Sequence, residues 1–245
     1  MLNNDLNNTT ERGADNMKFV LVLCESYSVA LKNVKLKPTT DVGFFMDNPT
    51  LFDLVMFTGG EDVSPELYGD TSPKMLCGYN LDRDKREARI YQVALKYGIK
   101  MTGICRGIQF LNVMNGGKMM HHITNHAGTI HSMTTVWGET VLVNSTHHQM
   151  CIPGPGGVVV GWSEPISSVY IGEGDEKVDY HGKEVEAIVY PGTNCAGVQY
   201  HPEMLLCESE GFKWYENFIK RFLYLPMSEF LPQNLIRERR NAASQ

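Results

Sequence analysis

The sequence of 245 residues predicts an α/β fold built around an open sheet. Two observations lead there. Short apolar runs over 18–23, 51–57 and 99–104 read as buried strands, and an amphipathic helix over 84–97 precedes the third, with Ile90, Val93, Ala94 and Tyr97 at helical spacing. Two of the runs end in glycine-bearing turns, Thr58-Gly59-Gly60 and Gly103-Ile104-Cys105-Arg106-Gly107, at the strand edge where open α/β sheets bind ligands.

The other elements can be placed in chain order. Residues 1–16, rich in Asn and Thr, bury too little apolar surface to order and read as a disordered tail. Residues 25–50 show neither a helical nor a strand period. Beyond the elbow-like turn, 108–115 reads as a helix stopped by Gly116-Gly117, and 134–136, 139–143, 158–162, 185–189 and 197–200 read as strands. A last helix over 211–225 carries Phe212, Trp214, Tyr215, Phe218, Ile219 and Phe222 on one face, the spacing of a core stripe. No Pro/Ser/Gly-rich linker divides the chain, so 17–226 is expected to be one catalytic domain and 227–245 a tail with a solvated basic run at Arg237-Glu238-Arg239-Arg240.

Bulk properties exclude several classes of function. A formal charge of −6 argues against a nucleic-acid binder. No stretch approaches the roughly 20 apolar residues of a spanning helix, so no membrane association is expected. The six cysteines contain no C-x-x-C pair, which suggests neither a zinc knuckle nor a disulfide framework and fits a reducing, cytoplasmic setting.

The chemistry centres on Cys105. A nucleophile flanked by glycines at both second neighbours, after a strand and before a helix, has the form of a nucleophile elbow, and a helix N-terminus favours the reactive thiolate. His201-Pro202-Glu203, after the last short strand, supplies a base and an acid two residues apart, on the same side of an extended segment. A buried structural cysteine and a surface His-Pro-Glu turn are the plain alternatives for each motif taken singly.

Four ordered blocks tie the motifs together: Thr58 to Gly69 reading TGGEDVSPELYG, Gly103 to Gly117 reading GICRGIQFLNVMNGG, Asn144 to Gln149 reading NSTHHQ, and Gly197 to Glu203 reading GVQYHPE. Together they resemble the class I glutamine amidotransferase-like superfamily, and more narrowly its γ-glutamyl hydrolase branch, of peptidase C26 type. The resemblance implies a three-layer α-β-α sandwich with an open, mostly parallel central sheet of flavodoxin-like form. It implies Cys105 as nucleophile, His201 as general base and acid, Glu203 as third triad member, and an oxyanion hole from the Gly60 and Arg106 N–H groups. By the same resemblance Gln109 grips the amino-acid end of a glutamyl group, and His147 and His148 line the substrate pocket. Tyr200 and Val189 depart from it, standing where tryptophan and glutamate are common.

The expected activity is hydrolysis of a γ-glutamyl amide bond in a small-molecule substrate, through a glutamyl thioester and without a cofactor. The alternatives are a glutaminase component that delivers ammonia to a separate synthetase, and a non-catalytic binding or regulatory protein. His121, His122, His126 and His131 are read as a histidine-rich loop over the site edge, with no metal expected.

Overall fold

The computed structural model describes residues 18–70 and 76–235; the expected tail at 1–16 lies outside them. The chain begins with β1 (Phe19–Val22), a 3₁₀ helix (Glu25–Leu31), β2 (Lys37–Thr39), α1 (Val42–Asp47) and β3 (Phe52–Phe57). Next come α2 (Leu81–Lys96), β4 (Lys100–Ile104), α3 (Arg106–Met114), β5 (Lys118–Met120) and β6 (His122–Ile123). Strands dominate from there to residue 198: β7 (Thr129–Thr135), β8 (Thr140–Ser145), β9 (Met150–Ile152), β10 (Val158–Ser163), β11 (Tyr170–Ile171), β12 (Glu184–Tyr190) and β13 (Cys195–Val198). Two helices, α4 (Glu210–Tyr224) and α5 (Met227–Phe230), complete the fold.

Nine strands form one sheet in the order β2-β1-β3-β4-β13-β12-β10-β7-β8. Pairing is parallel from β2 through β13 and antiparallel beyond. Alternation along the parallel strands sets the layers. On β3, Leu54 and Met56 join the core that contains the aromatics of α4, whereas Val55 and Phe57 join the core beneath α2 and α3. The sheet is thus covered on both faces, as an α-β-α sandwich requires.

Local signals start the long helices, α4 within one residue of the expected position and α2 at Leu81, three residues before its expected start. Asn80 caps α2 by accepting from the Arg83 N–H, and Asp82 and Asp84 lie in its first turn, where acidic groups suit the helix dipole. Ser209 caps α4 in the same way through Phe212 N–H.

Two segments differ from the sequence reading. Residues 25–50 do contribute a strand, but β2 is three residues long, lies at the sheet edge and is largely exposed, so it carries no apolar alternation. The 3₁₀ helix before it turns every three residues and escapes a 3.6-residue template. At the other end, 227–235 is not a tail: Phe230 and Leu231 are buried in the core around α4, with the Phe230 ring 5.5 Å from Phe218. One helical turn is too short for its periodicity to register. Among the described residues no helix is long and apolar enough to cross a membrane.

Replacing Phe230 by Ala is expected to lower the unfolding free energy by about 3–5 kcal/mol in urea titration. Unchanged stability would show that the segment after α4 is peripheral.

Candidate active site

Three adjacent parallel strands carry the site at their C-terminal ends. β3 leads into Thr58-Gly59-Gly60, β4 delivers Cys105, and β13 leads to His201 three residues beyond its end. Gly103 sits in register between Phe57 and Gly197. The turn at Cys105 is tight because α3 packs directly back onto the sheet. A Cβ on Gly103 would lie 2.3 Å from the Gly107 carbonyl carbon, and one on Gly107 only 2.2 Å from Phe57 O. Cys105 itself takes φ 52° and ψ −115°, a conformation costly for a side-chain-bearing residue and common at functional turns. Its N–H donates to Val198 O at 2.8 Å, fastening the turn to β13.

His201 faces the thiol. Its Nδ1 lies 2.6 Å from Glu203 Oε1, and its backbone N–H donates to Asn144 Oδ1 at 3.1 Å. Burial works against charge on the ring, but its hydrogen bond with Cys105 and the nearby Glu203 carboxylate outweigh it and raise its pKa to about 10. The imidazole therefore favours its protonated form at neutral pH.

Tyr27, on the 3₁₀ helix, covers the pair, with its ring 6.1 Å from that of His201. Gly59 permits the approach, since a Cβ there would sit 2.4 Å from Tyr27 Oη and 3.0 Å from His201 Cε1. Burial, then the charges of Glu203 and Cys105, raise the Tyr27 pKa well above its usual value and keep the hydroxyl protonated. The aperiodic segment 25–50 thus brings one aromatic side chain over Cys105 and His201.

A buried ion network lies beneath the elbow. Arg106, after the cysteine, is 1% exposed, and its guanidinium meets both Asp84 and Glu87 on α2. Arg83 donates through Nε to Glu87 at 2.8 Å and through Nη2 to the Thr58 and Gly59 carbonyls at 3.0 and 2.8 Å. In a trans peptide the C=O and N–H point in opposite directions, so turning the Gly59 carbonyl toward Arg83 turns the Gly60 N–H away from it. Asp84 Oδ2 also accepts from Ser64 N–H at 2.9 Å, holding the far end of the same loop. Sequence reasoning misses Arg83, Asp84, Glu87 and Tyr27. The three charged groups look like a solvated helix face, and their only signal is that they recur three to four residues apart, as one face of α2 does.

The residues expected to bind substrate separate into two groups. Gln109 is buried one turn into α3, and its Nε2 lies 3.4 Å from Gln149 O. His148 stands at the surface, 3.2 Å from Asp62 and beside the ring of His122. His147 does not reach the opening: it is 3% exposed, and its Nδ1 lies 3.0 Å from Gln149 O. Of the histidines of 121–131, only His122 stands near the surface, beside His148. His121, His126 and His131 are buried against carboxylates, His121 with Asp175 and the other two with Glu186. Tyr200 and Val189 are wholly buried, and the Tyr200 hydroxyl donates to Gly211 O at 2.8 Å.

Comparison with known proteins identifies the family. The model of the Peptidase C26 family matches residues 27–154. Protein NtpR of Enterococcus hirae is 30% identical over 174 residues, 62% of this chain and 67% of NtpR. YvdE of Lactococcus lactis subsp. lactis, named for its likeness to glutamine amidotransferases, is 28% identical over 63% of this chain and 67% of its own length. Among solved structures, a glutamine amidotransferase from Thermotoga maritima shares the fold with a TM-score of 0.52 at 15% identity, covering 87% of this chain and 88% of that one. The chain belongs to the peptidase C26 family of the class I glutamine amidotransferase-like superfamily, and so to the enzymes that act on amide bonds through a cysteine.

Proposed function

We propose that this chain hydrolyses γ-glutamyl amides through a thioester on Cys105. The observation that carries the reading is the strained Cys105 turn facing a His201 that is itself braced by Glu203 at 2.6 Å. The Cys105 sulfur attacks the side-chain carbonyl of the glutamyl group. Negative charge develops on the carbonyl oxygen, and the N–H groups of Gly60 and Arg106 receive it. His201 protonates the departing amine, then takes a proton from the water that cleaves the thioester, and glutamate leaves. Glu203 holds the ring in one tautomer and balances its charge. Gln109 meets the amino-acid end of the glutamyl group. His148 lies at the rim, and His147 acts indirectly, through the Gln149 carbonyl that it and Gln109 share.

Arg83 and Arg106 support the oxyanion site from below, because each fixes one of the two donor peptides. No step requires a cofactor. The branch-specific blocks at Thr58 to Gly69 and Asn144 to Gln149 favour a γ-glutamyl amine over free glutamine as substrate. A glutaminase that feeds a synthetase uses the same triad, so substrate preference separates the two.

Amine release from γ-glutamyl amines is expected to exceed ammonia release from glutamine; the reverse preference, strengthened by an added synthetase, would replace this reading with the amidotransferase one. Cys105→Ala is expected to lower kcat by about 10⁴-fold or more with the circular dichroism spectrum retained. Because the protonated form of His201 is the acid, kcat/KM should fall as pH rises through about 10. Glu203→Gln removes a charge that favours that form, so the alkaline fall should move down by about 1 pH unit. Arg83→Lys cannot hold two carbonyls and a carboxylate in one fork, and kcat is expected to drop by about 10²-fold with KM little changed. An unaffected kcat would show that the Gly60 peptide needs no such support.

A further inference from the structure

Away from the triad, Glu186 on β12 is fully buried and surrounded by three imidazoles. Its Oε1 lies 2.9 Å from His131 Nε2, 3.5 Å from His126 Nδ1 and 3.5 Å from His147 Nε2. Its Oε2 has no hydrogen-bond partner. The histidines come from three different places: the turn before β7, β7 itself, and the segment after β8.

The outer hydrogen bonds fix the tautomers. Glu184 Oε2, also buried, lies 2.9 Å from His126 Nε2, and the Glu184 carboxylate also accepts from Ser163, Tyr170 and two backbone N–H groups. With that many donors it is an acceptor only, so His126 Nε2 carries the hydrogen and Nδ1 presents a lone pair toward Glu186. His147 Nδ1 lies 3.0 Å from the Gln149 carbonyl and must donate, which leaves a lone pair on Nε2 aimed at the same carboxylate oxygen. Two imidazole lone pairs and a carboxylate therefore converge on one point inside the protein, with Ser145 Oγ 3.4 Å from His126 Nδ1, an arrangement that a cation shared between them, metal ion or proton, would stabilise.

The distances suit a small tetrahedral cation. Four ligands at about 2.0–2.1 Å around a tetrahedral ion stand roughly 3.3 Å from one another. The three separations from Glu186 Oε1, 2.9, 3.5 and 3.5 Å, bracket that edge. The ligand atoms of His126, His131 and Glu186 all lie within 4.8 Å of one another. Hydrogen bonds from a ligating imidazole to a carboxylate (Glu184) and to a backbone carbonyl (Gln149) are the usual outer supports of a metal-bound histidine.

We propose that His126 Nδ1, His131 Nε2, His147 Nε2 and Glu186 Oε1 bind one divalent transition-metal ion of the zinc class. The ligands are all buried, so the ion is structural: it ties β7, β12 and the segment after β8 into one wall. Because His147 shares the Gln149 carbonyl with Gln109 and Gln199, that wall is continuous with the proposed substrate pocket.

The test is elemental analysis of the full chain purified without a histidine tag, then chelator stripping and titration with Zn²⁺ or Co²⁺. About one equivalent per chain is expected, with the intense visible bands of tetrahedral Co²⁺ and a raised thermal midpoint on reloading. X-ray absorption of the zinc form should give nitrogen and oxygen neighbours at about 2.0–2.1 Å, and a sulfur shell near 2.3 Å would overturn the assignment by placing the ion on cysteines. His147→Gln and Glu186→Gln should each lower affinity by 10-fold or more, roughly the loss seen on disturbing a ligand's support. Less than about 0.1 equivalent, both as isolated and after reloading the wild-type chain, would refute the site and leave protons as the buried cations.

Discussion

Glu87 joins the fold to the chemistry. One buried carboxylate binds the guanidinium of Arg106, which comes directly after the cysteine, and that of Arg83, which fastens the carbonyls of the Gly59-Gly60 loop. With Asp84 and Glu61, whose carboxylate lies 2.9 Å from Arg83 Nη1, the network has three negative and two positive groups, and Asp84, Glu87 and Arg106 are almost fully buried. Buried ion pairs of this kind add little net stability, because desolvation offsets their attraction, but breaking one leaves an unpaired charge in the interior at a cost of about 3–5 kcal/mol. Their effect here is geometric. The two peptides proposed to receive an oxyanion come from different strands, and α2 sets their spacing from behind.

Sequence and structure agree where chemistry constrains local spacing. The glycines around Cys105 and the short His201-Pro202-Glu203 run are legible because each motif completes its own geometry within five residues. The long strands and helices are legible because they bury repeated apolar positions. Legibility fails where function depends on residues that meet only in three dimensions. Asp84, Glu87 and Arg106 have the composition of a surface, and only the approach of α2 to the elbow makes them interior. The histidines of 121–131 escape for the same reason, since the carboxylates that draw His126 and His131 inward lie more than fifty residues away on β12. The strands β5, β6, β9 and β11 are two or three residues long, too few to display a period.

The two halves of the sheet serve different ends. The parallel half presents the turns that hold Gly60, Cys105 and His201, while the antiparallel half supplies Asn144, which orients the His201 backbone, and the buried cluster around Glu186. The Asn144 to Gln149 block belongs to this second half, running from the end of β8 into the wall beside α3.

The backbone at Cys105 carries one more consequence. A positive φ with this ψ is a conformation that any L-residue holds at a cost of roughly 1–3 kcal/mol. Serine or alanine at this position inherits the strain, and only glycine escapes it. Selection for stability alone would therefore favour a glycine where the cysteine stands, and the cysteine persists in opposition to the folding free energy of its own turn.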